Sequence, residues 1–134
     1  MRIMGHNWLA IIAAAIAIYL IEYVIFGMMM TGEQYMAMTG LTPESVDYGL
    51  ARMPVGAVMP VLAAIGLSMA IKWRDKPGWI GGVTTALLVA ILFVFPTSLY
   101  SYVYGGHSEQ FVAINLAHFL VCYAAAGAIL GAWK

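Results

Sequence analysis

Two ionisable side chains, Glu22 and His118, lie inside long apolar stretches of this sequence. Glu22 comes eight residues before Met30, so it lies about 12 Å below the end of its stretch if each helical residue rises about 1.5 Å. His118 comes eight residues after Gln110 and therefore has a matching depth. A charge deep in a membrane helix costs about 2.5–3.5 kcal/mol on insertion scales. We therefore expect Glu22 to face the bundle interior, and to be paired or protonated.

Helical spacing places polar or aromatic neighbours beside both groups. Asn115 lies at i−3 from His118, and Tyr19 and Phe26 flank Glu22 at i−3 and i+4, so each set shares one helix face. If the two faces oppose each other, Glu22, His118 and Asn115 form one polar cluster. The predicted ligand or proton site comprises Glu22, His118, Asn115, Tyr19 and Tyr23.

Two interpretations of this cluster remain open. It is either a proton, cation or ligand site, or a structural network in which polar side chains hold the helices together at about 0.6–2 kcal/mol each. Pro60 and Pro96 lie at a similar level in their own stretches. Each removes a backbone donor and can kink its helix, so a pocket beside Glu22 and His118 is expected.

Four apolar stretches must position these residues. The chain has 134 residues, of which 63% are hydrophobic and 9% charged, whereas a soluble domain carries about 25% charged residues. Such a chain needs lipid as its solvent, and stretches long enough to span a bilayer must form helices there. We predict an all-α, integral membrane four-helix transmembrane bundle in a single domain, 1–134, with helices at about 7–30, 54–71, 79–102 and 111–133. The first stretch is too long for a signal peptide and is predicted to be a retained helix.

The basic residues predict the orientation of the bundle. With four spans, five of the six lysines and arginines fall on the side of both termini, which is therefore predicted to be cytoplasmic. Tryptophans at helix ends mark the same side as an aromatic belt. The basic residues on this side are Arg2, Lys72, Arg74, Lys76 and Lys134, and Arg52 is the exception.

The first connection between spans contains a helix start signal. Thr42 as an N-cap and Pro43 as the first helical residue predict a short interfacial helix before the second span.

Gly127 and Gly131 form a GxxxG pattern, which lets a neighbouring backbone approach closely either within the chain or in a dimer. We expect a homo-oligomer that uses this glycine face.

Composition excludes several classes of function. The formal net charge is zero, which argues against nucleic-acid binding. Motifs of phosphate loops, nucleophile elbows, CxxC pairs and metalloproteases are absent from the sequence. Methionines near the outer side would suit Cu(I), but their spacing fits no closed ligand set. We therefore assign no catalytic residue, metal or cofactor.

Several segments resemble the domain-of-unknown-function 1761 family of small bacterial four-helix membrane proteins. The resemblance implies this fold and topology and a bacterial inner (plasma) membrane location, and it implies no activity. Members of that family often have a tryptophan where this chain has Glu22, so the resemblance implies nothing about a site there. The segments are Asn7–Ala10, Tyr23 with Phe26 and Gly27, Tyr35–Thr42, Ile114–Ala117 and Gly127–Trp133.

These observations favour a small multi-pass protein that binds or transports a small solute or proton through a polar pocket in the outer half. Two alternatives remain: an accessory or structural subunit of a larger membrane complex, and a membrane enzyme in which Glu22 and His118 act on a lipophilic substrate. A transporter requires a water-accessible pocket that reaches Glu22, and an enzyme requires an opening on the lipid side. An accessory subunit requires an extended small-residue or aromatic face.

Overall fold

The computed structural model describes residues 2–3, 5–45, 53–76 and 78–133. This part of the chain forms a short antiparallel hairpin followed by helices, and in the hairpin Arg2 pairs with Asn7 and Ile3 with His6. The strands are β1 (Arg2–Ile3) and β2 (His6–Asn7), and the helices are α1 (Trp8–Met28), α2 (Gly32–Thr39), α3 (Met53–Arg74), α4 (Gly78–Gly105) and α5 (Glu109–Ala132).

Four of these helices, α1, α3, α4 and α5, are long and apolar enough to cross a membrane. In their most apolar windows only 17–28% of the residues are buried inside the bundle. The remaining apolar side chains face outward, which is favourable only where lipid surrounds them. The predicted four-helix transmembrane bundle is confirmed, and each predicted helix boundary lies within three residues of the observed one.

The spanning helices pack around α5, which contacts each of the other three, while α3 also contacts α1 and α4. We call the half of the bundle with the hairpin and the α3–α4 turn the proximal half, and the half with α2 and the α4–α5 turn the distal half. The core lies mainly in the proximal half and extends to mid-depth. Its buried residues are Ile11, Ala14, Ala15, Ile18, Ala64, Leu67, Ala86, Cys122 and Ala126.

Glycines bring α4 and α5 into direct backbone contact in the proximal half. A Cβ atom on Gly82 would collide with the carbonyl oxygen of Gly127, and one on Gly127 would lie 2.6 Å from the Cβ of Ala86. A Cβ on Gly131 would lie 2.5 Å from the carbonyl oxygen of Gly78. The expectation that this glycine face is spare for a dimer is therefore wrong, because α4 occupies it within the chain.

A short helix that was not predicted from the sequence, α2, follows α1. Thr31 Oγ1 accepts a hydrogen bond from the Gln34 amide at 3.2 Å, and Gln34 Oε1 accepts one from the Thr31 amide at 2.9 Å. This reciprocal pair is a capping box, whose signal in the sequence is a threonine followed three residues later by glutamine. Gly40 ends α2 with a φ of +70°, which glycine adopts without strain.

The helix predicted with Thr42 as its N-cap is described only as far as residue 45. Residues 43–45 form a turn, in which the Ser45 amide donates to the Thr42 carbonyl oxygen at 3.0 Å. The Ser45 hydroxyl also accepts from the Thr42 amide at 2.9 Å. The rest of the predicted helix, including Asp47, lies outside the described residues.

Candidate functional site

Glu22 and His118 meet in the distal half, as their depths predict. Glu22 is the last α-helical residue before a π turn in α1, Tyr23–Met28, and His118 lies on α5. His118 Nε2 and Glu22 Oε1 are 3.4 Å apart, with the His118 side chain 8% exposed and the Glu22 side chain 35% exposed. The carboxyl group of Glu22 is therefore partly open while the imidazole is enclosed.

The imidazole of His118 makes different contacts through its two nitrogens. Nδ1 lies 3.4 Å from Asn115 Oδ1, in the i−3 arrangement predicted from the sequence. Nε2 is buried and has no hydrogen-bond partner, because its approach to Glu22 lacks the direction of a hydrogen bond. A buried nitrogen of this kind costs free energy unless a further group satisfies it.

Tyr19 and Tyr23 lie apart from this cluster. Tyr19 is 52% exposed and Tyr23 is 58% exposed, which places both side chains on the outer surface of α1. Tyr19 lines a shallow groove between α1 and α3 instead. The structure thus brings together Glu22, His118 and Asn115, and leaves the two tyrosines outside.

Aromatic rings enclose the imidazole on two sides. The Phe26 ring meets the His118 ring edge-on at a centroid distance of 4.9 Å, and the Phe119 ring lies 5.0 Å away. Phe26 reaches this position from within the π turn that follows Glu22. π turns occur often at functional sites because they reorient side chains within a helix.

A cavity of about 570 Å³, which we call the distal cavity, opens beside the pair. All four spanning helices contribute to its wall, and Glu22 and His118 are both part of it. The predicted pocket at this level is therefore present, and Pro60 lies in its wall. The other lining residues are Ile18, Met59, Leu62, Ala63, Phe93, Val94, Thr97, Ser98, Phe119, Cys122 and Tyr123.

The wall formed by α4 depends on a second π turn, Ala90–Val94, just before Pro96. Proline has no amide hydrogen, and its ring crowds the carbonyl group four residues earlier. The hydroxyl of Thr97 donates to the Phe93 carbonyl oxygen at 2.6 Å, and that of Ser98 donates to the Phe95 carbonyl oxygen at 2.7 Å. These bonds satisfy backbone acceptors beside the proline and place two hydroxyl oxygens at the cavity wall.

A second cavity of about 470 Å³, which we call the roof cavity, lies under α2. Asn115, the neighbour of His118, lines it together with Phe26 and Tyr35. The Ser108 amide donates to the Met38 carbonyl oxygen at 2.8 Å and so joins α2 to the start of α5. The two nitrogens of His118 therefore point toward residues of two different cavities.

The arrangement suits proton exchange and polar recognition. Neutral imidazole offers one donor and one acceptor nitrogen, and a carboxyl group can be donor or acceptor according to its protonation.

Thr97 and Ser98 add acceptor oxygens that were not predicted as part of the site, since the third stretch is apolar overall. Two small polar residues directly after Pro96 were the available signal.

Comparison with protein families identifies the family of this chain. The family model described as "Protein of unknown function (DUF1761)" matches residues 9–131, nearly the whole chain. The chain belongs to this family. The family contributes no activity, and no curated protein and no solved structure matches the chain. The function of this member of the DUF1761 family must therefore be inferred from the distal half of its own bundle.

Proposed function

We propose that this membrane protein binds a small solute in the distal cavity, with the carboxyl group of Glu22 as its polar contact and His118 as the residue beside that carboxyl group. One observation carries the proposal: the Glu22 side chain is 35% exposed and lines a cavity of about 570 Å³ whose wall is mainly apolar. A polar or charged group of a solute would contact this carboxyl group.

The same pair supports a role for a proton in the binding cycle. Nε2 of His118 lies 3.4 Å from Oε1 of Glu22, and a small rotation of either side chain would align the hydrogen bond that proton transfer between them needs. His118 Nδ1 contacts Asn115, which lines the roof cavity. His118 thus contacts both the carboxyl group of the distal cavity and a residue of the cavity under α2, and this arrangement supports the proposal that solute binding is coupled to a proton.

An accessibility experiment tests whether the distal cavity admits a solute. In a Cys122→Ala background, which removes the single native cysteine, Ser98→Cys places a thiol in the cavity wall. Val58→Cys is the matched control, since Val58 is 49% exposed on α3 and lies at a comparable distance from the distal end. We expect N-ethylmaleimide to modify Ser98→Cys at least about tenfold faster than Val58→Cys, because thiolates react only where water reaches them. Equal rates would refute a solute cavity.

The alternative functions depend on other features. A membrane enzyme would use Glu22 and His118 on a lipophilic substrate, and this alternative stays open. Cys122, also in the cavity wall, is buried with its thiol directed to the Ile18 carbonyl oxygen at 3.9 Å. That placement disfavours a nucleophilic role. An accessory subunit would present a small-residue face, but the Gly127–Gly131 face is already packed against α4.

The proposed location is a bacterial inner membrane with both termini in the cytoplasm. In the Cys122→Ala background, an impermeant thiol reagent applied to sealed cells should label Ser45→Cys and Ser108→Cys. It should not label Asp75→Cys in the α3–α4 turn. Labelling at Asp75→Cys alone would reverse the proposed orientation, which rests on the positive-inside rule.

The proposal also includes association with other copies of this chain or with a larger membrane complex. Such an interface must use a surface other than the glycines between α4 and α5. Large apolar side chains cover the outer faces of the helices, so an oligomer would bury outward-facing residues of this kind. Blue native electrophoresis of the purified protein measures the number of copies.

A further inference from the structure

The mouth of the distal cavity lies between α3 and α4. Three of its lining residues have highly exposed side chains, Met59 and Leu62 at 62% each and Phe93 at 69%. The lining residues contributed by α1 and α5 are less exposed: Ile18, His118 and Cys122 are buried, and Glu22, Phe119 and Tyr123 are half-buried. The cavity is therefore more open on the α3 and α4 side than on the α1 and α5 side.

This mouth lies at the depth of the lipid chains. Met59 is six residues from the distal start of α3, so about 9 Å along the helix, and Phe93 is twelve residues from the end of α4, so about 18 Å. A hydrocarbon core is about 30 Å thick. A molecule that enters between α3 and α4 therefore comes from the acyl-chain region and must carry an apolar body.

The charged residues of the cavity wall indicate which charge the ligand carries. Glu22 is the only acidic residue among the described residues that line the cavity, and none of them is a lysine or arginine. Phe119 and Tyr123 add aromatic rings to the wall, and the faces of such rings attract cations. An ionised carboxylate in an apolar cavity without a basic side chain is complementary to a positive charge.

We propose that the ligand of the distal cavity is a lipophilic cation that enters from the bilayer between α3 and α4. This inference rests on the proposed solute site and names the chemical class of its ligand. The apolar body of the ligand contacts the mouth residues Met59, Leu62 and Phe93. Its positive charge lies against the Glu22 carboxylate, and His118 Nε2 lies 3.4 Å from that carboxylate. No covalent step is involved.

The test uses tetraphenylphosphonium as the probe and the thiol of Ser98→Cys, in the Cys122→Ala background, as the reporter. The protein is reconstituted in lipid nanodiscs, and the rate of N-ethylmaleimide modification is measured with increasing probe concentration. We expect tetraphenylphosphonium to slow modification in a saturable manner. Glu22→Gln should raise the concentration needed for half-protection about tenfold or more, since it removes a charge-assisted contact.

Two comparison probes and one comparison variant separate the parts of the proposal. Tetraphenylborate has the same four phenyl groups with a negative charge, and tetramethylammonium has the positive charge without the apolar body. Neither should protect the thiol at concentrations where tetraphenylphosphonium does. Glu33→Gln makes the same chemical change on the exposed surface of α2 and should leave protection by tetraphenylphosphonium unchanged.

Each contrary outcome has a distinct meaning. Equal protection by tetraphenylborate, or undiminished protection by tetraphenylphosphonium in Glu22→Gln, would refute the claim that the ligand is a cation. The proposal of a solute cavity would remain. Equal protection by tetramethylammonium would refute the claim that the ligand needs an apolar body. A thiol at position 98 that reacts rapidly but that tetraphenylphosphonium does not protect would overturn the ligand class alone. A thiol that reacts no faster than Val58→Cys would instead refute the solute cavity itself.

Discussion

Gly127→Leu should strongly destabilise this protein, because it forces apart two helices whose backbones touch. A Cβ atom at this position would lie 2.6 Å from the Gly82 carbonyl oxygen and 2.6 Å from the Ala86 Cβ, so even alanine would push α4 away from α5. Overpacking a core costs about 1–3 kcal/mol, and we expect the upper end of that range because the obstacle includes backbone. The measurement is the midpoint of thermal unfolding in detergent, followed by circular dichroism.

Gly66→Leu is the matched control for this experiment. Gly66 also lies within a spanning helix, α3, but a Cβ atom there would meet nothing within 4 Å. Leucine forms helices better than glycine, so this variant should keep or slightly raise the unfolding midpoint. Equal midpoints for the two leucine variants would show that the contact between α4 and α5 contributes little to stability.

The second large effect is expected at the pair of Glu22 and His118. Removing one member of a buried charged pair costs about 3–5 kcal/mol. The Glu22 side chain is 35% exposed, so we expect about 1–3 kcal/mol for His118→Phe or Glu22→Leu alone. The double variant, Glu22→Leu with His118→Phe, should lose less free energy of unfolding than the sum of the losses in the two single variants. Glu22→Gln should be mild if Glu22 is already protonated and severe if it is an ion paired with His118.

A double-mutant cycle provides the measurement, with unfolding midpoints of the four proteins compared in one detergent. Tyr19→Leu serves as a control on the same helix, because Tyr19 is exposed and away from the cavity wall. Strict additivity of the two single changes would mean that Glu22 and His118 act as independent structural residues. A coupling of about 0.5–3 kcal/mol is typical for residues in contact.

The spanning helices were predictable because length and apolar composition are sufficient to identify them. The partner of Gly127 was not, since a GxxxG pattern is compatible with a helix of the same chain or of another copy. Gly82, which supplies the contact, forms a small-residue pair with Gly81 that indicates close packing, but this pair does not indicate which helix it meets. The short helix α2 was missed although its capping box, Thr31 with Gln34, is visible in the sequence.

The common depth of Glu22 and His118 could be predicted from the sequence, and their meeting was expected on the condition that their helix faces oppose each other. The outward direction of Tyr19 could not, because the rotation of a helix about its axis depends on which neighbours it has. The same limitation hid Thr97 and Ser98, whose position in the cavity wall depends on how α4 packs against its neighbours. Sequence periodicity gives the face of each helix, and only packing decides what that face meets.

The π turn after Glu22 gives α1 one residue more than its register requires. Its bonds join residues five apart, as in the 3.0 Å bond from the Met29 amide to the Val24 carbonyl oxygen, instead of four. Removing Val24 should therefore convert the turn to ordinary α-helix and leave both flanking segments in phase. The same deletion at Ala14, in the regular part of the helix, would rotate everything beyond it by about 100°. A single-residue deletion that is normally harmful inside a membrane helix thus has one tolerant position in α1, directly beside the cavity.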